Sequence, residues 1–410
     1  MSDSVQYRGG ISGMNLRRAT LLMVVGALGL GMVTSQWTQA QVFTVLYNFQ
    51  GPPDGALPRG ALIRDAAGNL YGTTFRGGTG ACYTGCGTLF KVAPASGWTE
   101  TVLYDSLEVD AYPQAAVVRD PAGNLFGTTS GGGDGGCFPY GGCGTIFEVD
   151  PTGKGSVLHS FGSGIDGATP LAGLIRDPAG NFYGTTAYGG TLGFGTVFKF
   201  SRTGKETVLY SFKPLHDSAR PEASLVRDRA GNLYGTASTG GAHYLGTVFR
   251  VSRSGKETVL YSFKPSPDGN SPMTGLVLDA TGNLYGVTES GGVVDGCPSG
   301  GCGTIFKLDK SGKETQLYRF GGGSDGNGPS GLLTRDKKGN LYGTSGGGSF
   351  GFGTVFKLDR SGRHTVLHSF NQADGIGPNG ALVSDGAGSF YGTTDAGGAF
   401  GLGTVFKVTP

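Results

Sequence analysis

Three sets of side chains in this sequence have the type and spacing to do chemistry. The first is a series of loop aspartates: Asp54, Asp110, Asp166, Asp217, Asp268, Asp325 and Asp374. Each stands three or four residues ahead of a proline (Pro58, Pro113, Pro170, Pro221, Pro272, Pro329 and Pro378). Carboxylates placed around a common mouth could hold a cation or sugar hydroxyls. The same residues also read as turn formers, because Asp-Gly favours tight turns and proline fixes the start of the next extended segment. Their regular recurrence favours the turn, since a catalytic residue more readily breaks a repeat than follows it. The second set is Tyr188 and Tyr244 in glycine-rich loops, together with the loop histidines His216 and His243. Rings there can stack on sugars or fold back over the loop's own glycines. His216 and His243 lie in consecutive repeats and could approach each other. No His-Glu-x-x-His metal motif or phosphate loop appears.

The third set is six cysteines in three close pairs, Cys82 with Cys86, Cys137 with Cys143, and Cys297 with Cys302. In an exported protein they read as local disulfides pinning long loops. A metal site is the alternative, but the spacing differs between pairs and no histidine follows at ligand distance. No metal or cofactor is expected.

Export is expected from the first residues. Arg17 and Arg18 precede an apolar run over 21–33, and Thr38-Gln39-Ala40 offers small residues for cleavage. Charged, apolar, then small is the order of a secretory signal peptide. The run is short for a membrane span, which needs roughly 20 residues. Residues 1–40 therefore read as a signal peptide, with 1–13 as an upstream extension, and 41–410 as the mature domain. The expected location is extracellular or periplasmic, with no membrane span after cleavage. A net charge of +2 gives no electrostatic case for nucleic acid.

The elements that must position these residues repeat. Asn69, Asn124, Asn181, Asn232, Asn283 and Asn340, with Ser389 in seventh place, mark a Gly-Asn-Leu-Tyr-Gly-Thr segment that returns every 49–57 residues. Three further segments recur with it: Leu-Ile-Arg-Asp, Gly-Thr-Val-Phe and Thr-Val-Leu-Tyr-Ser-Phe. Short runs rich in β-branched and aromatic residues, bounded by Gly, Asp and Pro, read as strands. Glycine, 81 of 410 residues, supplies the turns. Asp65-Ala66-Ala67-Gly68-Asn69 suits a tight hairpin capped by the aspartate, with glycine left-handed.

Four strands in an antiparallel meander, repeated seven times, predict an all-β fold: a seven-bladed β-propeller of four-stranded blades. The chain enters on an outermost strand at 44–49 and leaves on a third strand at 403–408, so the N-terminal strand is expected to complete the last blade. That closure leaves no unpaired terminal blade edge. Arg64, Arg119, Arg176, Arg227 and Arg335 form an expected ladder between blades, interrupted by Leu278 and Ser384. These segments, in this order over nearly all of the mature chain, resemble the GloVer tandem repeat of bacterial surface and secreted proteins. The resemblance implies export and a tandem β array, and no ligand. The expected function is a monomeric, non-catalytic binding or surface-interaction module, with carbohydrate or another surface protein as partner. The alternative is an extracellular polysaccharide-degrading hydrolase or lyase on the same scaffold. An enzyme would show two or three polar residues that depart from the repeat and converge.

Overall fold

In the computed structural model, described for residues 41–410 apart from 106–109, 135, 138–140, 163, 214–216, 294, 298 and 299, each repeat becomes one antiparallel four-strand meander. Seven such meanders are the blades of a β-propeller. The innermost strands of blades one to seven are Ile63–Arg64, Val118–Arg119, Ile175–Arg176, Val226–Arg227, Val277–Leu278, Thr334–Arg335 and Val383–Ser384. Blade four continues outward through Leu233–Ala237, Thr247–Val251 and Glu257–Ser262. Blade seven continues through Phe390–Thr394 and Thr404–Thr409, and its outermost strand is Val42–Asn48 from the other end of the chain. Val42 faces Thr409 and Asn48 faces Thr404 in an antiparallel ladder.

The hairpin turns form as the sequence predicts. Asp65 accepts the Asn69 backbone N–H at 2.9 Å, the Asn69 amide at 2.8 Å and the Tyr71 hydroxyl at 3.0 Å. Gly68 takes φ +89°. The Asn and Tyr of the repeat thus serve the Asp of the turn before them. These bonds hold the carboxyls of Asp65, Asp177, Asp228 and Asp336 below the ordinary carboxylate range, against the opposing effect of burial.

The core lies between blades. Val197 and Phe212 of blade three pack with Leu225, Leu233, Phe249 and Val251 of blade four. The glycine of Leu-Tyr-Gly-Thr is required there: a Cβ on Gly235 would lie 2.6 Å from Phe249 Cζ. One feature goes beyond the sequence reading. In every blade the outermost strand carries a bulge against the third strand, between Val248 and Phe249 in blade four for example. The skipped residue is the leucine of Thr-Val-Leu-Tyr, Leu260 in that blade. A bulge adds twist and re-aims the side chains beyond it.

Candidate functional site

The long loops gather at one end of the central channel, where a repeated backbone device presents non-repeated side chains. The residue before each loop proline is left-handed: Leu57, Tyr112, Thr169, Arg220 and Ser271 lie at φ between 52° and 66°, and Gly328 and Gly377 at 50° and 65°. Left-handed backbone costs a non-glycine residue about 1–3 kcal/mol and persists only where its surroundings enforce it. Here the enforcement comes from the preceding blade. Thr169 N–H donates to the Cys143 carbonyl at 2.7 Å, and Arg220 N–H to the Phe194 carbonyl at 3.0 Å. The following proline packs on the glycine of the preceding blade's Gly-Thr-x-Phe segment. A Cβ on Gly246 would stand 2.4 Å from Pro272 Cδ. Two separate motifs of the repeat therefore meet across each blade junction. The proline precedes the short inner strand by five residues, Pro221 to Val226, rather than beginning it.

The next residue in each blade lines the channel, and here the repeat stops. Arg59, Gln114, Leu171, Glu222, Met273, Ser330 and Asn379 surround a central cavity of about 160 Å³ floored by alanine and glycine. Arg59 pairs with Asp395 at 3.1 Å and lies 4.3 Å over the Phe75 ring. Arg220 pairs with Glu222 at 3.2 Å and donates to the Tyr188 hydroxyl at 2.8 Å. Ser330 donates to Asn379 at 3.2 Å. Burial pushes the Glu222 carboxyl up from its ordinary value; Arg220 opposes this and the charge of Glu289 adds to it. The mouth thus carries two cations, several carboxylates and the half-exposed ring of Tyr188.

The loop aspartates take a different place. Asp54 accepts the Tyr47 hydroxyl at 2.9 Å, and Asp268 accepts that of Tyr261 at 2.7 Å; both also accept backbone N–H groups. Asp325 accepts from Tyr318 at 2.7 Å, while Asp166 and Asp374 face His159 and His368 at 3.6 and 3.1 Å. Each therefore caps the turn after an outermost strand, with its oxygens engaged inside the protein. A glutamate from the next blade faces several of these groups. Glu100 stands against Asp54 and Tyr47, and burial with the Asp54 charge pushes it up to about 8. Glu206, Glu257 and Glu314 face Asp166, Asp217 and Asp268 and are pushed up to about 7, again chiefly by burial. His364 takes the glutamate's place beside Asp325, at 3.1 Å.

Of the remaining predicted positions, Tyr188 joins the channel mouth, whereas Tyr244 and His243 project from a loop tip into solvent. His216 lies outside the described residues. The three cysteine pairs are disulfides, Cys82–Cys86, Cys137–Cys143 and Cys297–Cys302. Among the described residues no three His, Cys, Asp or Glu side chains are grouped to hold a metal ion, and no helix is long and apolar enough to cross a membrane. Ser324, Ser345 and Ser349 fall in Gly-x-Ser-x-Gly strings, but Ser324 lies in the short turn Gly323–Asp325, Ser345 is buried against Thr354 and Ser349 sits in a hairpin loop. None stands on the strand-to-helix turn that makes such a serine a nucleophile. The mouth residues Arg59, Arg220, Glu222 and Asp395 escaped the sequence reading. The signal that would have found Arg59 and Glu222 is the position after each proline, which varies in all seven blades; Arg220 and Asp395 lie outside it.

Fold and mouth together define a disulfide-pinned seven-bladed β-propeller with a constant frame and one variable ring. The chain belongs to the Gloeobacter/Verrucomicrobia repeat family, whose model matches residues 22–174, 85–297, 137–345 and 293–410. No curated protein matches the sequence. Among solved structures it is similar to the extracellular domain of a protein assigned as a one-component system of B. thetaiotaomicron, with TM-score 0.56 and 10% identity, over 88% of this chain and 40% of that one. It is also similar to a puromycin hydrolase (TM-score 0.48, 14% identity, 82% and 50% coverage) and a luciferin-regenerating enzyme (TM-score 0.43, 11% identity, 90% and 95% coverage). At such identities the first likeness concerns the fold alone. The chain spans less than half the length of that first relative.

Proposed function

We propose that residues 41–410 form a secreted, monomeric, non-catalytic binding domain that takes carbohydrate at the channel mouth. The observation that carries this reading is the post-proline ring: seven different residues on seven copies of one left-handed backbone frame. Variable side chains on an invariant scaffold are how repeat proteins build a binding face. Arg59, Arg220 and Glu222 offer hydrogen bonds to hydroxyls, and Tyr188 and Met273 offer exposed apolar surface. Three disulfides in the loops of that face support export.

A second reading has its own observation. Polar residues that break the repeat do converge, and Glu222 holds its proton more tightly than an ordinary carboxyl, as a general acid of a polysaccharide-degrading enzyme does. Binding is favoured because the arginines already occupy Glu222 and Asp395 as ion pairs. The test is a glycan array with the chain from residue 41, followed by titration of the best glycan into Arg220→Met and Glu222→Gln. Binding weakened at least tenfold in either variant, without turnover, supports the proposal. Unchanged binding in both places the site elsewhere, and release of reducing ends from any glycan establishes the enzyme.

A further inference from the structure

On the opposite, short-turn face a cleft separates neighbouring blades, and its walls repeat. The inner-strand arginine of one blade lies over the second-strand tyrosine of the blade before it. Arg119 stands 5.9 Å from the Tyr71 ring centre, Arg227 5.9 Å from Tyr183, Arg335 5.5 Å from Tyr285 and Arg64 6.0 Å from Tyr391. Blades five and seven break this ladder with Leu278 and Ser384. No arginine covers Tyr234 of blade four among the described residues, and a larger cleft lies there. It measures about 620 Å³, against about 420 Å³ between blades five and six, where Arg335 is present, and about 320 Å³ between blades two and three, where Arg176 is present. Small-ligand sites occupy about 300–1,000 Å³.

The chemistry of this cleft is lopsided. Arg227, Arg229, Arg250 and Lys310 line it, and none of them takes part in an ion pair among the described residues. The Nε atoms of Arg227 and Arg250 are buried without a hydrogen-bond partner. Three carboxylates also line it, and each accepts hydrogen bonds from its own turn. Asp228 accepts from Asn232 and Tyr234, Asp279 from Thr281, Asn283 and Tyr285, and Asp309 from Ser311 and Lys313. Asp228 and Asp279 thus have both oxygens engaged from within, while the four basic side chains have no ion-pair partner among the described residues. The exposed side chains of Arg229 and Lys310 bring unpaired positive charge to the cleft, which a charge-assisted hydrogen bond to an anion would satisfy. The remaining wall is apolar: the Tyr234 ring with Leu260, Leu278 and Leu284. A charged substituent beside a flat apolar face is the form of an acidic sugar, whose ring stacks on an aromatic side chain.

We propose that the cleft between blades four and five binds an anionic sugar residue, a pyranose bearing a carboxylate or a sulfate, with Arg250 and Lys310 on the charged group and Tyr234 under the ring. The site is separate from the channel mouth and does not depend on the reading given for it.

The experiment is calorimetric titration of the chain from residue 41 at low salt with digalacturonate, galactose 6-sulfate, cellobiose and inorganic sulfate. At least one of the two acidic sugars binds ten or more times tighter than both cellobiose and inorganic sulfate; which one does identifies the anion. Leu278→Arg restores the arginine of the other blades, fills the cleft and reduces that binding at least tenfold, with the thermal midpoint unchanged or raised. Arg250→Gln reduces it as well, and carries the same criterion should Leu278→Arg fold poorly. Arg220→Met at the channel mouth leaves it unaltered. The proposal is overturned if neither acidic sugar binds more tightly than inorganic sulfate, or if the folded cleft variants bind as the parent does.

Discussion

Replacing Phe49 by alanine measures whether the two ends of the chain make one cooperative ring. Phe49 follows the strand Val42–Asn48, is fully buried and meets Phe90 of blade one edge-on at 5.0 Å between ring centres. Phe212 and Phe263 occupy the same place in mid-ring blades and meet Phe249 and Phe306 at 5.0 and 5.2 Å. Truncating a buried phenylalanine costs about 3–5 kcal/mol. A terminal segment that frays on its own would absorb the loss within about 0.5 kcal/mol. Closure predicts that Phe49→Ala costs the same 3–5 kcal/mol as Phe212→Ala, although one lies at a terminus and the other in mid-chain. The seam has its own probe. Trp98, the sole tryptophan of a chain starting at residue 41, packs 6.0 Å from Tyr391 where blades seven and one meet. Urea unfolding followed in parallel by Trp98 fluorescence and far-ultraviolet circular dichroism should give coincident transitions in parent and both variants. Deleting 44–49 should abolish the whole transition rather than trim it. A Phe49→Ala effect below about 1 kcal/mol beside a full Phe212→Ala effect, or fluorescence changing well before dichroism, would refute closure.

Two further outcomes follow from the electrostatics and the glycines. Glu100 is raised to about 8 and Glu206, Glu257 and Glu314 to about 7, so the folded protein holds their protons more tightly than the unfolded chain does. These glutamates therefore withdraw stability as pH rises from about 4.5 to about 8, by on the order of 1–2 kcal/mol in all once solvent screening of these half-exposed groups is allowed for, while His159 and His368, held low by burial, act in the opposite sense. The turn aspartates, held low, withdraw stability below about pH 4. Urea midpoints at pH 5 and pH 8 check this, and the fourfold Glu→Gln variant should flatten the difference; a parent more stable at pH 8 contradicts it. Gly246→Ala meets Pro272 and a left-handed φ of +98°, whereas Gly204→Ala at φ +82° meets nothing within 4 Å. The first should cost at least about 3 kcal/mol and the second about 1 kcal/mol, read from thermal midpoints. Equal losses would show that the glycine–proline contact does not matter.

Much of the frame was legible because its contacts are local. The turn at Asp65, Gly68, Asn69 and Tyr71 closes within seven residues, so spacing alone reveals it, and the strand segments announce themselves through composition. Closure by the N-terminal strand was legible from the phase of the repeat, since a meander cut between its third and outermost strands can be completed only from the chain's other end. The left-handed residue before each proline was not legible. Non-glycine residues such as Thr169 disfavour that conformation, and only the hydrogen bond to the preceding blade enforces it. The aspartates read as turn formers rather than ligands from their recurrence, but their partners, the outer-strand tyrosines and histidines, were not legible.

The sequence by itself determined the number of blades, the strand order, the hairpin turns and the cysteine pairs, because each depends on neighbours in the chain or on the count of copies. Tertiary structure alone decided which residues share a site. Arg59 and Asp395 lie 336 residues apart and pair at 3.1 Å, and Leu278 matters only because Tyr234 of another blade stands where its missing guanidinium would be. A repeat specifies each blade from within, while the channel and the clefts exist only between blades, where radial packing brings distant copies side by side.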